Sequence, residues 1–396
     1  MEQPLVGVRV LDLSRMLTGG FASMLLGDLG AEVIKIEAPH GGDPLRKMPP
    51  YFHKGQSAYF LAISRNKKSV TLDIRTDEGR EIFYNLVKQA DVVFDNFRPG
   101  VLEKLKVEFE TLKEKNPKIV CCSNSAYGQT GPLKDGPGFD LVIQALSGMM
   151  SYTGEPGGNP VRMGAPMGDL AGSMFATTSI VSALLAAEKT GKGRRIDLSL
   201  LDCLVSMHTY VSQYYWLGGE LPEPAGSGHM SVVPYRAYRT ENGFITVAVF
   251  VEKFWQALCN AISWPELGSD ERYDTAAKRL EERHEIDVLL EGAFKTKTNE
   301  EWMKRLDAEG VPAAPMLSVD QVFEHPQILE REMVVEVPSP GGDKIKMIGN
   351  PIKQPGVETH PMKAAPKLGE DTEEVLKNLL GIGKEETERL KQQNIV

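Results

Sequence analysis

The first 125 residues constrain the fold most, because short apolar runs alternate there with amphipathic segments. "VGVRVLDL" reads as a strand, "GFASMLLGDLGA" as a helix with Phe21, Met24, Leu25 and Leu29 at helical spacing, and "EVIKIEA" as a second strand. The pattern continues with the strand "SVTLDI", a helix over about 76–89, the strand "DVVFDN", the helical "LEKLKVEFETLKEKN" and the strand "KIVCCSN". Parallel strands need crossovers of this length, so the alternation implies a mostly parallel sheet with helices on both faces.

A βαβ opening invites a test for dinucleotide binding. That site needs G-x-G-x-x-G in the first turn and an acid at the end of the second strand. Glu37 meets the second condition, but the turn "SRMLTGG" fails the first. Further on, a Gly/Pro-rich loop precedes an apolar helix from about Asp140, a long helix from Leu170 to about Lys189, and the strand "RRIDLSLL". "LGGELPEPAGSGH" has the composition of an interdomain linker. Beyond it, residues 228–325 mix a strand pair turning at Asn242-Gly243 with charged amphipathic helices, a small α+β domain. The strands "MVVEVPS" and "KIKMIGN" then lead to a Lys/Glu-rich C-terminal helix.

Composition narrows function by exclusion. A net charge of −9 argues against nonspecific binding to nucleic acid or to an anionic membrane, while leaving room for a local basic pocket. No apolar stretch is expected to reach membrane-spanning length, and "MEQPLVGVRV" lacks a signal-peptide pattern, so the expected location is cytoplasmic. Cys121, Cys122, Cys203 and Cys259 show neither disulfide nor metal spacing and read as buried small hydrophobes. Nor does any His/Cys/Asp/Glu spacing suggest a metal. The absence of G-x-S-x-G and of a Walker loop removes support for common hydrolase and kinase readings.

Three segments carry candidate chemistry. In "PVRMGAPMGDLAGS" a single acid, Asp169, stands among small residues directly before the long helix. Asp is a favoured N-cap, and the positive end of the helix dipole also favours the ionised form that a nucleophile requires, so capping and catalysis are compatible there. "NFRPG" follows a strand's carboxyl end, where open α/β sheets bind ligands, although Pro99 and Gly100 also suit a plain turn. "SRNKKSVTLDIR" sets Arg65, Lys67, Lys68 and Arg75 around one strand, a cationic group suited either to phosphates or to solvent.

Taken in order, the segments "VLDLSRMLTGGFASMLLGDLGAEVIKIEAP", "SRNKKSVTLDI", "ADVVFDNFRPGVLEKL", "GQTGP", "GFDLVIQALSGMMSYTGEP", "GAPMGDLAG", "TGKGRRIDLSLLD" and "GVPAAPMLSVDQVFEHPQ" resemble the class III CoA-transferase family, shared with α-methylacyl-CoA racemase. The resemblance implies a Rossmann-like large domain built from both chain ends (1–205 and, after a return segment, 326–396). It also implies a linker over 206–227, the inserted small domain at 228–325, and two subunits interlocked as a homodimer. No cofactor would be held permanently; coenzyme A would be a co-substrate, with an acyl-CoA and a carboxylic acid as partners. Asp169 matches the family's catalytic aspartate. Met16, Leu72, Arg75, Asn96, Phe97 and Lys104 match positions that contact coenzyme A, and Leu17, Tyr59 and Phe139 match the substrate pocket.

The implied reaction proceeds through an aspartyl–acyl anhydride and an aspartyl-CoA thioester. The racemase alternative needs an acid/base pair, but the position where that subfamily carries histidine holds Phe139, which moves no proton. A CoA-binding regulatory protein without turnover is the alternative from another class, and the intact "MGDLAG" argues against it. The apolar character of Met16, Leu17 and Phe139 points to an acid larger or more apolar than oxalate, with succinyl-CoA or acetyl-CoA as donor.

Overall fold

The computed structural model describes residues 1–339, 343–358 and 361–396, and divides the chain into two units. The first comprises residues 1–149, 162–213 and 329–396; the second comprises 150–161 and 214–328.

The first unit is a mixed α/β fold around one parallel sheet. Its strands are β1 (Arg9–Asp12), β2 (Glu32–Glu37), β3 (Lys67–Thr71), β4 (Val92–Asp95), β5 (Val120–Ser125) and β6 (Arg194–Ser199), in the order β3-β2-β1-β4-β5-β6. All five pairings are parallel. The order reverses direction at β1/β4, which opens a crevice outside the carboxyl ends of those strands.

Successive residues in the strands feed opposite faces of the sheet. Leu11, Ile34 and Val93 pack on one face with Phe83 and Leu86 from helix Asp77–Val87, and with Leu376 and Leu390 from the two C-terminal helices. Val10, Val33, Val92 and Val120 pack on the other face with Ala22 and Leu26 of α1 (Met16–Asp28) and with Ala176, Ile180, Ala183 and Ala187 of the long helix Met167–Thr190. Each fully buried branched side chain contributes about 1.5–3 kcal/mol, which makes this double layer the main stabilising element. The C-terminal segment returns to the β3 edge, where Asp73 N–H donates to the Ile395 carbonyl at 2.7 Å.

The structure departs from the sequence expectations in three places. The helical run at 102–116 is two helices, Val101–Leu105 and Phe109–Lys115, because Lys106 takes a left-handed φ of 59°. The long helix starts at Met167, three residues before Leu170. It is also 24 residues long with an apolar window of mean hydropathy 1.6, enough by length and composition to cross a membrane, which corrects the expectation that no such stretch exists. Within the unit its inner face is core, as the alanines and Ile180 show. The expected strand pair turning at Asn242-Gly243 does form, through a four-residue loop closed by Thr240 N–H donating to the Gly243 carbonyl at 3.0 Å.

The second unit has its own core. Tyr235–Arg239, Phe244–Ala248 and Ala313–Pro315 form an antiparallel three-stranded sheet, against which Trp255, Leu258, Leu290, Phe294, Trp302 and Leu306 pack from three helices.

Candidate active site

A cavity of about 1160 Å³ runs along the carboxyl ends of the parallel strands, lined by residues that follow all six. The segment 13–18 follows β1, residues 38–40 follow β2, 72–75 follow β3 and 96–99 follow β4. Asn124–Ala126 end β5, and Leu200 follows β6. Neighbouring strands lie about 4.8 Å apart, so six of them span roughly 24 Å, room for an extended ligand. Of the residues selected from sequence, Met16, Leu17, Tyr59, Leu72, Arg75, Asn96, Phe97, Phe139 and Asp169 all line this cavity. Lys104 does not; it is exposed on helix Val101–Leu105, whose Val101 and Leu105 do.

Asp169 lies inside the first turn of its helix rather than at the cap, which corrects the capping reading. The cap role passes to Asp140, whose Oδ1 accepts from Gly168 N–H at 2.8 Å and from Asp169 N–H at 3.3 Å. The Asp169 side chain is thereby left for other partners. Its Oδ1 accepts a short hydrogen bond from the Thr18 hydroxyl on α1. Burial pushes its carboxyl up to about 6, Asp140 acts in the same direction, and the Thr18 hydroxyl pulls against both. Burial therefore outweighs the Thr18 hydrogen bond in setting this acid. Tyr59, on helix Ala58–Ile63, is raised above the usual phenol range by burial and then by Asp169 and Asp140, so it stays a donor at neutral pH.

The turn after β1 is held in an unusual shape. Met16 has φ 62°, a conformation that costs a non-glycine residue about 1–2 kcal/mol. Three side chains hold it. Asn96 clasps the Arg15 peptide at both ends, its Oδ1 accepting from Arg15 N–H at 2.8 Å and its Nδ2 donating to the Arg15 carbonyl at 2.7 Å. Asp43 Oδ1 accepts from Met16 N–H at 3.4 Å. Lys35, fully buried on β2, donates to the Ser14 carbonyl at 2.8 Å and pairs with Asp43 at 2.9 Å. Asn96 thus shapes the cavity by positioning Arg15.

The cationic group expected around β3 does not gather. Arg65 is buried against Asp28 at 2.6 Å, and Lys68 pairs with Glu32 and Glu374, each at 3.0 Å. Lys67 is buried beside Asp12 at 3.6 Å, where burial lowers its ammonium to about 8. Only Arg75 reaches the cavity, 74% exposed and paired bidentately with Asp73. Other basic side chains, which the sequence reading missed, line it instead, among them Arg15, Arg98 and Lys134. Arg15 lies 5.4 Å over the Phe97 ring. They come from separate loops, so no local spacing announces them. Glu37 fills no ribose-binding role either, because Arg46 binds both of its oxygens, at 2.5 and 2.8 Å.

The arrangement thus joins one half-buried, weakly acidic carboxylate to a long cavity with basic side chains along its wall. Residues 5–372 match CoA-transferase family III. The chain is similar to the mouse succinyl-CoA:glutarate CoA-transferase, 37% identical over 96% of this chain and 87% of that one. It is also similar to the acetyl-CoA:oxalate CoA-transferase of Acetobacter aceti, 36% identical over 93% of each. Among solved structures, a CAIB/BAIF family protein from Brucella suis superposes with a TM-score of 0.85 and 34% identity, covering 96% of this chain and all of that one. A match across nearly the whole length, with fold and sequence in agreement, makes this chain a member of CoA-transferase family III.

Proposed function

We propose that the chain moves coenzyme A from an acyl-CoA thioester to a free carboxylic acid, with Asp169 as the covalent relay. The carrying observation is that Asp169 lies half-buried at a cavity long enough for the coenzyme, with a hydroxyl aimed at one of its oxygens. A carboxylate oxygen attacks the thioester carbonyl, giving an aspartyl–acyl anhydride and CoA thiolate. The thiolate returns to the aspartyl carbonyl, frees the first acid and leaves an aspartyl-CoA thioester. The incoming carboxylate attacks that thioester and, through a second anhydride, receives the coenzyme. Burial excludes water from these intermediates, which would otherwise hydrolyse.

In this reading Met16, Leu72, Arg75, Phe97 and Lys104 contact coenzyme A, Asn96 shapes its site through Arg15, and Leu17, Tyr59 and Phe139 bound the acid. The acid is larger or more apolar than oxalate, and the donor is succinyl-CoA or acetyl-CoA, the two donors in the relatives' names. Transfer is favoured over racemisation because Phe139, at the cavity wall, has no proton to move.

The proposal extends to architecture: a large domain from residues 1–205 and 326–396, a linker at 206–227, a small domain at 228–325, and an interlocked cytoplasmic homodimer. Met174, Phe175, Val181 and Leu185 leave apolar surface exposed on the long helix of a single chain, which supports coverage by a second copy. Intact-protein mass spectrometry during turnover, over a panel of CoA donors and acids, tests the chemistry. A mass increase by the acyl group or by CoA, mapped to Asp169, is expected. Exchange without any adduct there, or a preference for oxalate over C4 and longer acids, overturns the corresponding part.

A further inference from the structure

Asn124, the next-to-last residue of β5, is 1% exposed, yet neither its Oδ1 nor its Nδ2 has a hydrogen-bond partner among the described residues. An unpaired buried polar group is destabilising, so an amide with both atoms open is a feature to be explained. It lines the same cavity as Asp169.

Its position explains it. A Cβ built on Gly172 would meet Leu200 Cδ2 first and would lie 3.1 Å from Asn124 Nδ2 and 3.3 Å from Thr18 Cγ2. Gly172 follows Asp169 by one turn of the same helix, and side chains at i and i+3 share a face with Cβ atoms about 5–6 Å apart. Helical side chains also lean towards the N-terminus, here towards Asp169. Leu200 Cδ2 takes the volume that a side chain at 172 would fill and the Asn124 amide borders it, one helical turn from the carboxylate and with no hydrogen bond to it. Thr18, which borders the same spot, holds Asp169 Oδ1.

We propose that Asn124 Nδ2 donates a hydrogen bond to the acyl carbonyl oxygen in the tetrahedral adducts formed on Asp169, an inference that rests on the exchange reaction proposed above. The Asp169 oxygen not held by Thr18 attacks the thioester carbon, and the carbonyl π pair moves onto oxygen, which accepts from Asn124. Collapse re-forms the carbonyl and expels the thiolate with the C–S pair, so no proton moves. A neutral amide suits this place. A lysine or arginine there would pair with Asp169 and hold back the nucleophile, whereas an amide strengthens its bond only as charge develops on the oxygen.

Steady-state exchange and thermal unfolding of Asn124→Leu test this. The expected result is a kcat lower by about 10²–10³-fold with KM for acyl-CoA and for the acid nearly unchanged, the signature of an interaction made in the transition state. The unfolding midpoint should equal or exceed that of the wild type, since two unpaired polar atoms are replaced by apolar ones. Rapid-quench mass spectrometry should show acylation of Asp169 slowed by the same factor. An unchanged kcat overturns the inference, and so does a fall in activity matched by a lower unfolding midpoint and lost CoA binding, which would mark a structural role. Should Asn124→Leu fail to fold, Asn124→Ala is judged by the same outcomes. Absence of exchange in the wild type overturns the proposed function and this inference with it; normal wild-type exchange with a fully active variant overturns this inference alone.

Discussion

The Thr18 hydroxyl on α1 donates to Asp169 Oδ1 on the long helix, a bond between residues 151 positions apart. It is the one hydrogen bond that opposes burial in setting the acidity of this carboxylate. Thr18→Val should therefore raise the Asp169 pKa above its value of about 6. Because the nucleophile is the ionised form, activity falls as pH drops through that pKa, and the acidic limb of kcat/KM should move to higher pH in the variant. A pH–rate profile between 4.5 and 8 reads this, and an unmoved limb would separate Asp169 from the ionisation that controls rate.

Asp169→Asn should abolish exchange and stabilise the fold at neutral pH. The folded pKa of about 6 lies above the ordinary 3.8, so the native state binds the extra proton between those values and the wild type loses stability as pH rises across that window. A shift of this size corresponds to about 3 kcal/mol. The stability difference between variant and wild type should therefore be small near pH 4 and reach its plateau above about pH 6. Denaturant unfolding at pH 4, 5, 6 and 7.5 measures it, and a destabilised variant at pH 7.5 would mean that the carboxylate is well solvated or well paired.

The parallel sheet was legible because its strands alternate with crossover helices and feed two apolar faces, a pattern that needs no distant partner. The lone acid Asp169 was legible for the opposite reason: nothing nearby competes with it. Its cap status was misjudged because Asp140, some thirty residues earlier, takes the cap through space. The grouping of Arg65, Lys67, Lys68 and Arg75 failed because alternation in a strand turns neighbours to opposite faces and burial there demands a counter-ion for each. Arg15, Arg98 and Lys134 meet only once the sheet brings their loops together. One signal was present and missed: Lys35 interrupts the apolar run of "EVIKIE" in a strand buried on both faces, where a charge is carried only with dedicated partners.

Arg46 and Glu37 provide a purely structural prediction. Both side chains are nearly buried, and the guanidinium also sits 3.9 Å over the Phe60 ring. Arg46→Met leaves the Glu37 carboxylate buried without its cation and should cost about 3–5 kcal/mol, whereas adding Glu37→Gln should recover a large part of that loss. A double-mutant cycle by chemical denaturation tests the coupling, and additive effects of the two substitutions would show that the pair is well solvated.

Arg75 offers the cleanest separation of binding from folding. It stands at the β3 end of the cavity, 74% exposed, and among the described residues its ion pair is with Asp73, two residues away. An exposed pair of this kind holds little stability, so Arg75→Glu should leave the unfolding midpoint within about 1 °C of the wild type. If the coenzyme's phosphates lie at this end, reversing the charge should raise KM for acyl-CoA by about tenfold or more at low ionic strength, with less effect at 0.5 M salt, where the Debye length is only a few ångströms. KM for the acid and kcat at saturation should stay close to wild type, since Arg75 follows β3 at the sheet edge while Asp169 is bonded to α1. Equal changes in both KM values, or a change insensitive to salt, would place the phosphates elsewhere along the basic wall, with Arg15, Arg98 and Lys134 as the next positions to reverse.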